Sequence, residues 1–121
     1  MALAGRLFQM ARGGDEAQLR QYLDAGVPAG LTNDSGDSLL MLAAYHGHAP
    51  AVAVLLKHGA DPNQVNDRGQ TPLAGAVFKG ADAVVRELLA AGADPGAGTP
   101  SALETAQMFG KTDLLALFGA A

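Results

Sequence analysis

Apolar residues along this chain follow a helical spacing that is itself repeated. Val52, Leu55 and Leu56 stand three and four positions apart, which places their side chains on one face of a helix. The same triplet returns 33 residues later. Segments 33–65 and 66–98 are identical at 13 of 33 aligned positions, so the whole segment repeats together with its apolar face. A fixed period of this size predicts stacked units that each bury an apolar face on the next.

Altered copies of the unit occupy both ends of the chain. The first unit matches the second at these apolar and glycine positions: Leu7, Met10, Ala11, Gly14, Leu19, Leu23 and Gly26. Near the other end the mid-repeat glycines Gly80 and Gly110 are 30 residues apart, so the fourth unit is shortened, in loop 96–100. We therefore expect a single domain, residues 1–121, with units at about 1–32, 33–65, 66–98 and 99–121. Atypical units at both ends are typical of terminal caps, which favours a complete protein over a fragment of a longer array.

Short polar residues mark where helices begin. Ser38, Thr71 and Ser101 are suited to cap the first helix of their units, because a side-chain oxygen there can accept a hydrogen bond from an open amide. Asp15 and Asp82 are expected to cap second helices in the same way. The sequence therefore predicts an all-α chain with a helix pair in each unit.

The combined motif resembles ankyrin repeats. It reads Asp-Arg-Gly-Gln-Thr-Pro-Leu at 67–73, Gly-His at 47–48, Val-x-x-Leu-Leu at 52–56 and Gly-Ala-Asp-Pro-Asn at 59–63, and the resemblance covers nearly the whole chain. It implies a solenoid of antiparallel helix pairs with projecting, hairpin-like loops, and protein binding as the usual activity. The family's Thr-Pro-Leu-His is met only as Thr-Pro-Leu-Ala at 71–74, and its histidine, which usually joins loop and helix, is absent from every unit. We therefore expect more reliance on apolar packing, with looser loops.

The composition and charge of the chain bear on its localisation and on the classes of partner it can bind. The 121 residues carry a net charge of −4, and no run of lysine or arginine offers a nucleic-acid surface. No secretory signal is visible at the N-terminus, and no apolar run approaches the ~20 residues of a membrane span. Cysteine is absent, as is common in a reducing compartment. We expect a cytoplasmic protein that binds neither nucleic acid nor membrane.

Catalytic and metal chemistry find little support in the sequence. The three histidines are His46, His48 and His58, and a metal would need three or four converging ligands. We expect His46 to point to the concave face and His48 to start a second helix, with their side chains diverging. Asp61 and Asp94 repeat in turns where nothing predicts a shifted pKa. We expect no enzyme, catalytic residue, metal or cofactor. A small-ligand or metal site near the three histidines is the minor alternative.

Two columns of the repeat lie just before the mid-repeat glycine, where the family geometry implies a concave face. The first column comprises Arg12, Tyr45, Phe78 and Met108, and the second Gly13, His46, Lys79 and Phe109. We predict that the large apolar members, Tyr45, Phe78, Met108 and Phe109, are exposed side by side and contact a partner. The alternative is that neighbouring residues cover them, with Met108 and Phe109 sealing the core.

Loop tips should add a polar rim to this surface. Its predicted members are Asp34, Ser35, Asp37, Arg68 and Gln70, with His58 and Lys79 as further edge contacts. The hypothesis is a partner with a mainly apolar feature and some positive charge that meets the acidic loop of the second unit. The predicted function is a monomeric, non-catalytic protein-binding module or accessory subunit. The alternative is a self-associating structural protein whose aromatic column forms a homodimer contact.

Overall fold

The computed structural model describes residues 2–119, which form eight short helices in four successive pairs. The helices are α1 (Ala2–Gly13), α2 (Glu16–Asp24), α3 (Leu39–Tyr45), α4 (Ala49–Lys57), α5 (Pro72–Lys79), α6 (Asp82–Ala90), α7 (Ala102–Met108) and α8 (Thr112–Leu117). Within residues 2–119 every helix is too short or too polar to span a bilayer. The predicted all-α architecture is confirmed.

The pairs stack so that their helices form two rows. In the inner row α1 packs on α3, α3 on α5 and α5 on α7, and in the outer row α2 packs on α4 and α4 on α6. One apolar cluster runs from Leu7 of α1 to Leu114 of α8. Leu55 and Leu88, period mates on the outer row, have no exposed surface at all. The 33-residue register therefore identifies the core.

The first helix of each of the last three pairs begins at the predicted cap. The hydroxyl groups of Ser38, Thr71 and Ser101 each accept a hydrogen bond, 3.0 to 3.1 Å long, from the backbone amide three residues later. At Ser101 the Glu104 carboxylate also accepts from the Ser101 amide at 2.9 Å, which completes a capping box. Asp15 caps α2 through a 3.2 Å bond from the Gln18 amide.

The cap predicted for α6 is wrong by one residue. Ala81 occupies the cap position without a side-chain bond, and Asp82 lies in the first turn. Asp15, His48 and Ala81 are period mates with nearly the same backbone angles, φ between −76° and −93° and ψ between 75° and 80°. Repeat register, and not side-chain chemistry, sets where the second helix starts. Asp82 still faces the positive end of the helix dipole.

The loop before α5 is held by a buried asparagine. Oδ1 of Asn66 accepts hydrogen bonds from the backbone amides of Arg68 and Gln70, both 3.0 Å long. Its Nδ2 donates hydrogen bonds to Oε1 of Gln70 and to Oδ1 of Asp37, both 2.8 Å long. A side-chain amide therefore joins this loop to its neighbour, which does not favour the looser loops expected from the sequence. The hairpin character of the loops is slight: among residues 2–119, one isolated antiparallel bridge joins Thr32 and Ser38.

Candidate functional site

A groove of about 570 Å³ crosses the inner row of helices and reaches the adjoining loops. Nine of the residues predicted to contact a partner line this groove: Arg12, Asp37, Tyr45, His46, Arg68, Gln70, Phe78, Met108 and Phe109. They come from α1, α3, α5 and α7, from the cap residues that follow α3 and α7, and from the loops before α3 and α5, so the stacking of the pairs is what brings them together. The groove is thus built from the same repeat positions in successive units.

An aromatic row follows the groove. The rings of Tyr45 and Phe78 stack with centroids 6.4 Å apart and planes 9° apart. The ring of Phe109 continues the row, with its centroid 5.6 Å from that of Phe78 at a tilt of 47°. Phe78 is 56% exposed and the neighbouring Met108 is 68% exposed. The prediction that these side chains are exposed side by side is confirmed, with Tyr45 the least exposed at 36%.

The groove is also lined by six residues that the repeat pattern did not predict there, five of them buried and one, Pro100, exposed. They are Met41, Leu42, Ala74, Gly75, Pro100 and Thr105. A Cβ at Gly75 would lie 3.5 Å from Met41 Cε and from Tyr45 Cδ1, so the Tyr45 ring packs directly over this glycine. One signal was present: Gly75 replaces the Leu42 of the preceding repeat, which removes a side chain at the centre of the groove.

His46, which follows α3, and His48, which precedes α4, lie together, contrary to expectation. The rings of His46 and His48 have centroids 6.5 Å apart and planes 20° apart, so they do not diverge. Nε2 of His48 donates a 2.7 Å hydrogen bond to the backbone carbonyl of Arg12, which ties the second pair to the first. Partial burial, then the positive charges of His48, Lys79 and Arg12, lowers the pKa of His46. Across residues 2–119, no three potential ligand side chains converge as a metal site requires.

Positive charge predominates at the groove. Arg12 and Arg68 line it, and Nζ of Lys79 lies 4.9 Å from the centroid of the Tyr45 ring, in cation–π contact. None of these three cations has a carboxylate within 4.0 Å in the part of the chain described here. Among residues 2–119 Asp37 is the one carboxylate lining the groove, and it already accepts a hydrogen bond from Asn66. The charge at this surface therefore does not favour the positively charged partner feature expected from the sequence.

Three predicted contact residues lie away from the groove. Asp34 and Ser35 are exposed at the tip of the second unit's loop, where the Ser35 carbonyl accepts the Asp67 amide at 3.1 Å. His58 lies on the outer row, in a separate depression beside α2, and does not join the edge of the groove. Its Nδ1 donates to the Val54 carbonyl and its Nε2 to Asp24. These bonds, with that to Val54 the larger cause, raise the pKa of His58.

Comparison with known proteins agrees with this architecture. Residues 7–99 match the sequence family described as ankyrin repeats (3 copies). Ankyrin repeat protein PA3287 of Pseudomonas aeruginosa is 55% identical over 47 residues, which make up 39% of this chain and 28% of that protein. The inactive serine/threonine-protein kinase TEX14 of Mus musculus is 37% identical over 62 residues, 51% of this chain and 4% of that protein.

A solved structure gives the same result for the fold. The ankyrin repeat domain of human ASB11 superposes with a TM-score of 0.71 at 34% sequence identity, covering 74% of this chain and 40% of that one. This chain spans well under two thirds of each of these relatives. The family match covers most of the chain, and the helix pairs stack as the family's do. The chain belongs to the ankyrin repeat family, whose all-α solenoids of antiparallel helix pairs are generally protein–protein interaction modules and typically non-catalytic.

Proposed function

We propose that this chain is a non-catalytic accessory module that binds a protein partner in the groove, with Tyr45 and Phe78 as the principal anchors. The observation that carries the proposal is the aromatic row of Tyr45, Phe78 and Phe109, whose rings lie next to one another and are exposed. Contiguous exposed apolar surface of this kind usually marks a contact site, and aromatic side chains are common energetic anchors.

The scaffold beneath the row favours tight binding. The aromatic side chains project from α3, α5 and the end of α7, whose opposite faces lie in the continuous core. A partner would therefore meet a surface that is already ordered, so that little conformational entropy is lost on this side of the complex. Gln70, Arg68 and Arg12 supply polar contacts around the apolar centre. An apolar centre with a polar rim is the usual anatomy of an interface.

Like charges across the groove favour a monomer over a homodimer formed through this surface. A two-fold contact between two grooves would bring two sets of Arg12, Arg68 and Lys79 together, with Asp37 as the one opposing carboxylate of the lining. Like charges placed close together oppose association. Sedimentation velocity at several concentrations tests this, and a dimer lost in Tyr45→Ala/Phe78→Ala would favour the self-association alternative instead.

Affinity capture from a lysate of the native cell, followed by titration with the purified captured protein, tests the proposal. We expect Tyr45→Ala/Phe78→Ala to weaken binding at least about tenfold, because two anchors are removed. Val65→Ala/Leu117→Ala is the matched control, since both side chains are apolar and exposed but lie outside the groove. Circular dichroism checks that all variants remain folded. Unchanged affinity in the folded groove variant would place the binding site elsewhere.

A further inference from the structure

We propose that the partner segment seated in the groove is acidic and carries apolar anchor side chains, as in a short stretch of Asp and Glu interspersed with Leu or aromatic residues. This inference rests on the proposed function and adds the chemistry of the occupant. It commits to a protein segment whose carboxylates meet the groove's cations and whose apolar side chains cover the aromatic row.

The distribution of charge is the first argument. The chain carries 8 basic and 12 acidic residues and a net charge of −4. Arg12 and Arg68 line the groove and Lys79 lies over the ring of its Tyr45, whereas Asp37 is the one of the twelve acids that lines it. The groove is thus positive on a chain that is otherwise negative. A surface potential of opposite sign to the rest of the molecule selects the sign of the partner and raises its rate of encounter.

The placement of the cations beside the anchors is the second argument. Lys79 lies over the Tyr45 ring, and Arg12 lies in the same repeat column as Tyr45 and Phe78. An acidic residue next to an apolar one in the partner can therefore meet a cation while its neighbour covers an aromatic ring. Neither cation has a carboxylate partner within residues 2–119, so an incoming carboxylate breaks no existing ion pair.

The surroundings of His46 also favour a negatively charged partner segment. Groups facing His46 from the neighbouring elements are Arg12 at the end of α1, His48 at the start of α4 and Lys79 at the end of α5, and each could carry positive charge. Partial burial is the larger cause that lowers the pKa of His46, and the charges of these neighbours lower it further. A carboxylate placed among them would favour the protonated imidazole. Binding of an acidic segment should therefore take up a proton and strengthen as the pH falls.

Exposed aromatic rings with nearby cations could also stack the bases of single-stranded nucleic acid. The negative net charge and the absence of any basic run argue against that occupant, since phosphate backbones are attracted by extended positive surfaces. Arg12, Arg68 and Lys79 form a local positive patch rather than an extended track. The test nevertheless includes a nucleic-acid probe.

Selection from a random dodecapeptide display library on the immobilised protein reads the chemistry of the occupant directly. We expect enrichment of sequences rich in Asp and Glu with Leu, Phe, Tyr or Trp, and loss of that enrichment on Tyr45→Ala/Phe78→Ala. The most enriched peptide is then synthesised and titrated against Arg12→Glu/Lys79→Glu at low and moderate salt. We expect its affinity to fall at least about tenfold, with weaker binding at the higher salt concentration.

Two further variants keep this test interpretable. Arg86→Glu/Lys111→Glu makes the same change of net charge at exposed positions outside the groove and should alter affinity by less than about twofold. If Arg12→Glu/Lys79→Glu lowers the thermal stability, Arg12→Gln/Lys79→Gln removes the same two charges with neutral side chains. Both variants at Arg12 change only its side chain, so the Arg12 carbonyl still accepts the hydrogen bond from His48.

The outcomes distinguish a failure of this inference alone from a failure of the proposed function. Neutral or basic peptides that still require Tyr45 and Phe78 would overturn the acidic occupant and leave groove binding intact. Peptides that bind equally well without those two rings would overturn both proposals. So would failure of the library to enrich any groove-dependent sequence. Tighter binding of a 12-nucleotide oligouridine than of any selected peptide would replace the protein segment with nucleic acid.

Discussion

Nε2 of His58 donates a 2.7 Å hydrogen bond to Oδ1 of Asp24, and this bond joins the second helix pair to the first on the outer row. The other ring nitrogen, Nδ1, donates to the Val54 carbonyl at 2.9 Å. Both partners accept, so both ring nitrogens must carry a proton for the two bonds to coexist. The folded state therefore favours the imidazolium, which is why the pKa of His58 is raised.

This arrangement predicts a pH-dependent stabilisation. A histidine whose pKa is raised on folding contributes stability that is fully present below its unfolded pKa of about 6.5 and is lost as the pH rises through the folded pKa. We expect His58→Gln to lower the midpoint of urea unfolding more at about pH 5.5 than at about pH 8.5. Asp24→Asn should show the same trend with a smaller amplitude, because the Val54 bond remains. Equal effects of His58→Gln at the two pH values would contradict the raised pKa.

The continuous core predicts a large cost for truncating Leu88. Its side chain is fully buried on α6, and removing three carbons from a packed interior loses both transfer free energy and contacts around the cavity. We expect Leu88→Ala to lower the free energy of unfolding by about 2–5 kcal/mol. Leu117→Ala, on the exposed face of α8, should cost less than about 1 kcal/mol. Urea denaturation measures both, and a Leu88→Ala protein as stable as wild type would show that the repeat register is wrong.

Asn66 predicts a loop defect. The side chain is buried and makes four hydrogen bonds, so truncation would leave the amides of Arg68 and Gln70 without their acceptor. We expect Asn66→Ala to cost about 1–3 kcal/mol. Hydrogen exchange at the Arg68 and Gln70 amides should accelerate. Asn33→Ala, the period mate with two such bonds, is the control and should cost less. Unchanged exchange at both amides in Asn66→Ala would contradict the role assigned to this side chain.

Period and cap residues were sufficient to predict the helix pairs, because burial of the apolar face and closure of the first turn are both local consequences of residue spacing. Leu55 and Leu88 are buried as the register requires. The same 33-residue register would also have predicted the start of α6, since Ala81 is the period mate of Asp15 and His48. Choosing Asp82 for its side chain gave the wrong residue, because in this repeat the backbone fixes the position even where no cap bond forms.

In the groove, too, the repeat period predicted some features and not others. The exposed column of Tyr45 and Phe78 was predictable because stacking places period mates on one surface. The sign of charge at the groove was not, since it depends on where the flexible Lys79 side chain turns and on Asn66 engaging Asp37. His58 likewise gave no sequence signal of its bond to Asp24, a contact between residues in different repeats that are 34 positions apart.

Two glycines of the same helix should respond oppositely to alanine. Gly75 lies inside α5, and a Cβ there would meet Met41 and Tyr45 at 3.5 Å, an ordinary contact. Alanine fits this space and removes the helix-interior cost of glycine, so we expect Gly75→Ala to stabilise the protein by about 0.5–1 kcal/mol. Gly80 ends the helix with φ of 70° in the left-handed region, where an added side chain is strained even though the space is open.

Gly80→Ala should therefore destabilise the protein by about 1 kcal/mol or more. It is the control for Gly75→Ala, because both variants make the same glycine-to-alanine exchange. Urea denaturation of the two variants beside wild type measures both effects. The added Cβ at Gly75 would be in ordinary contact with the Tyr45 ring and need not displace it, so the variant should keep full affinity for any partner of the groove. A destabilised Gly75→Ala protein would mean that Tyr45 and Met41 pack too tightly over α5 to accept a methyl group, and that this glycine is needed for the aromatic row to form.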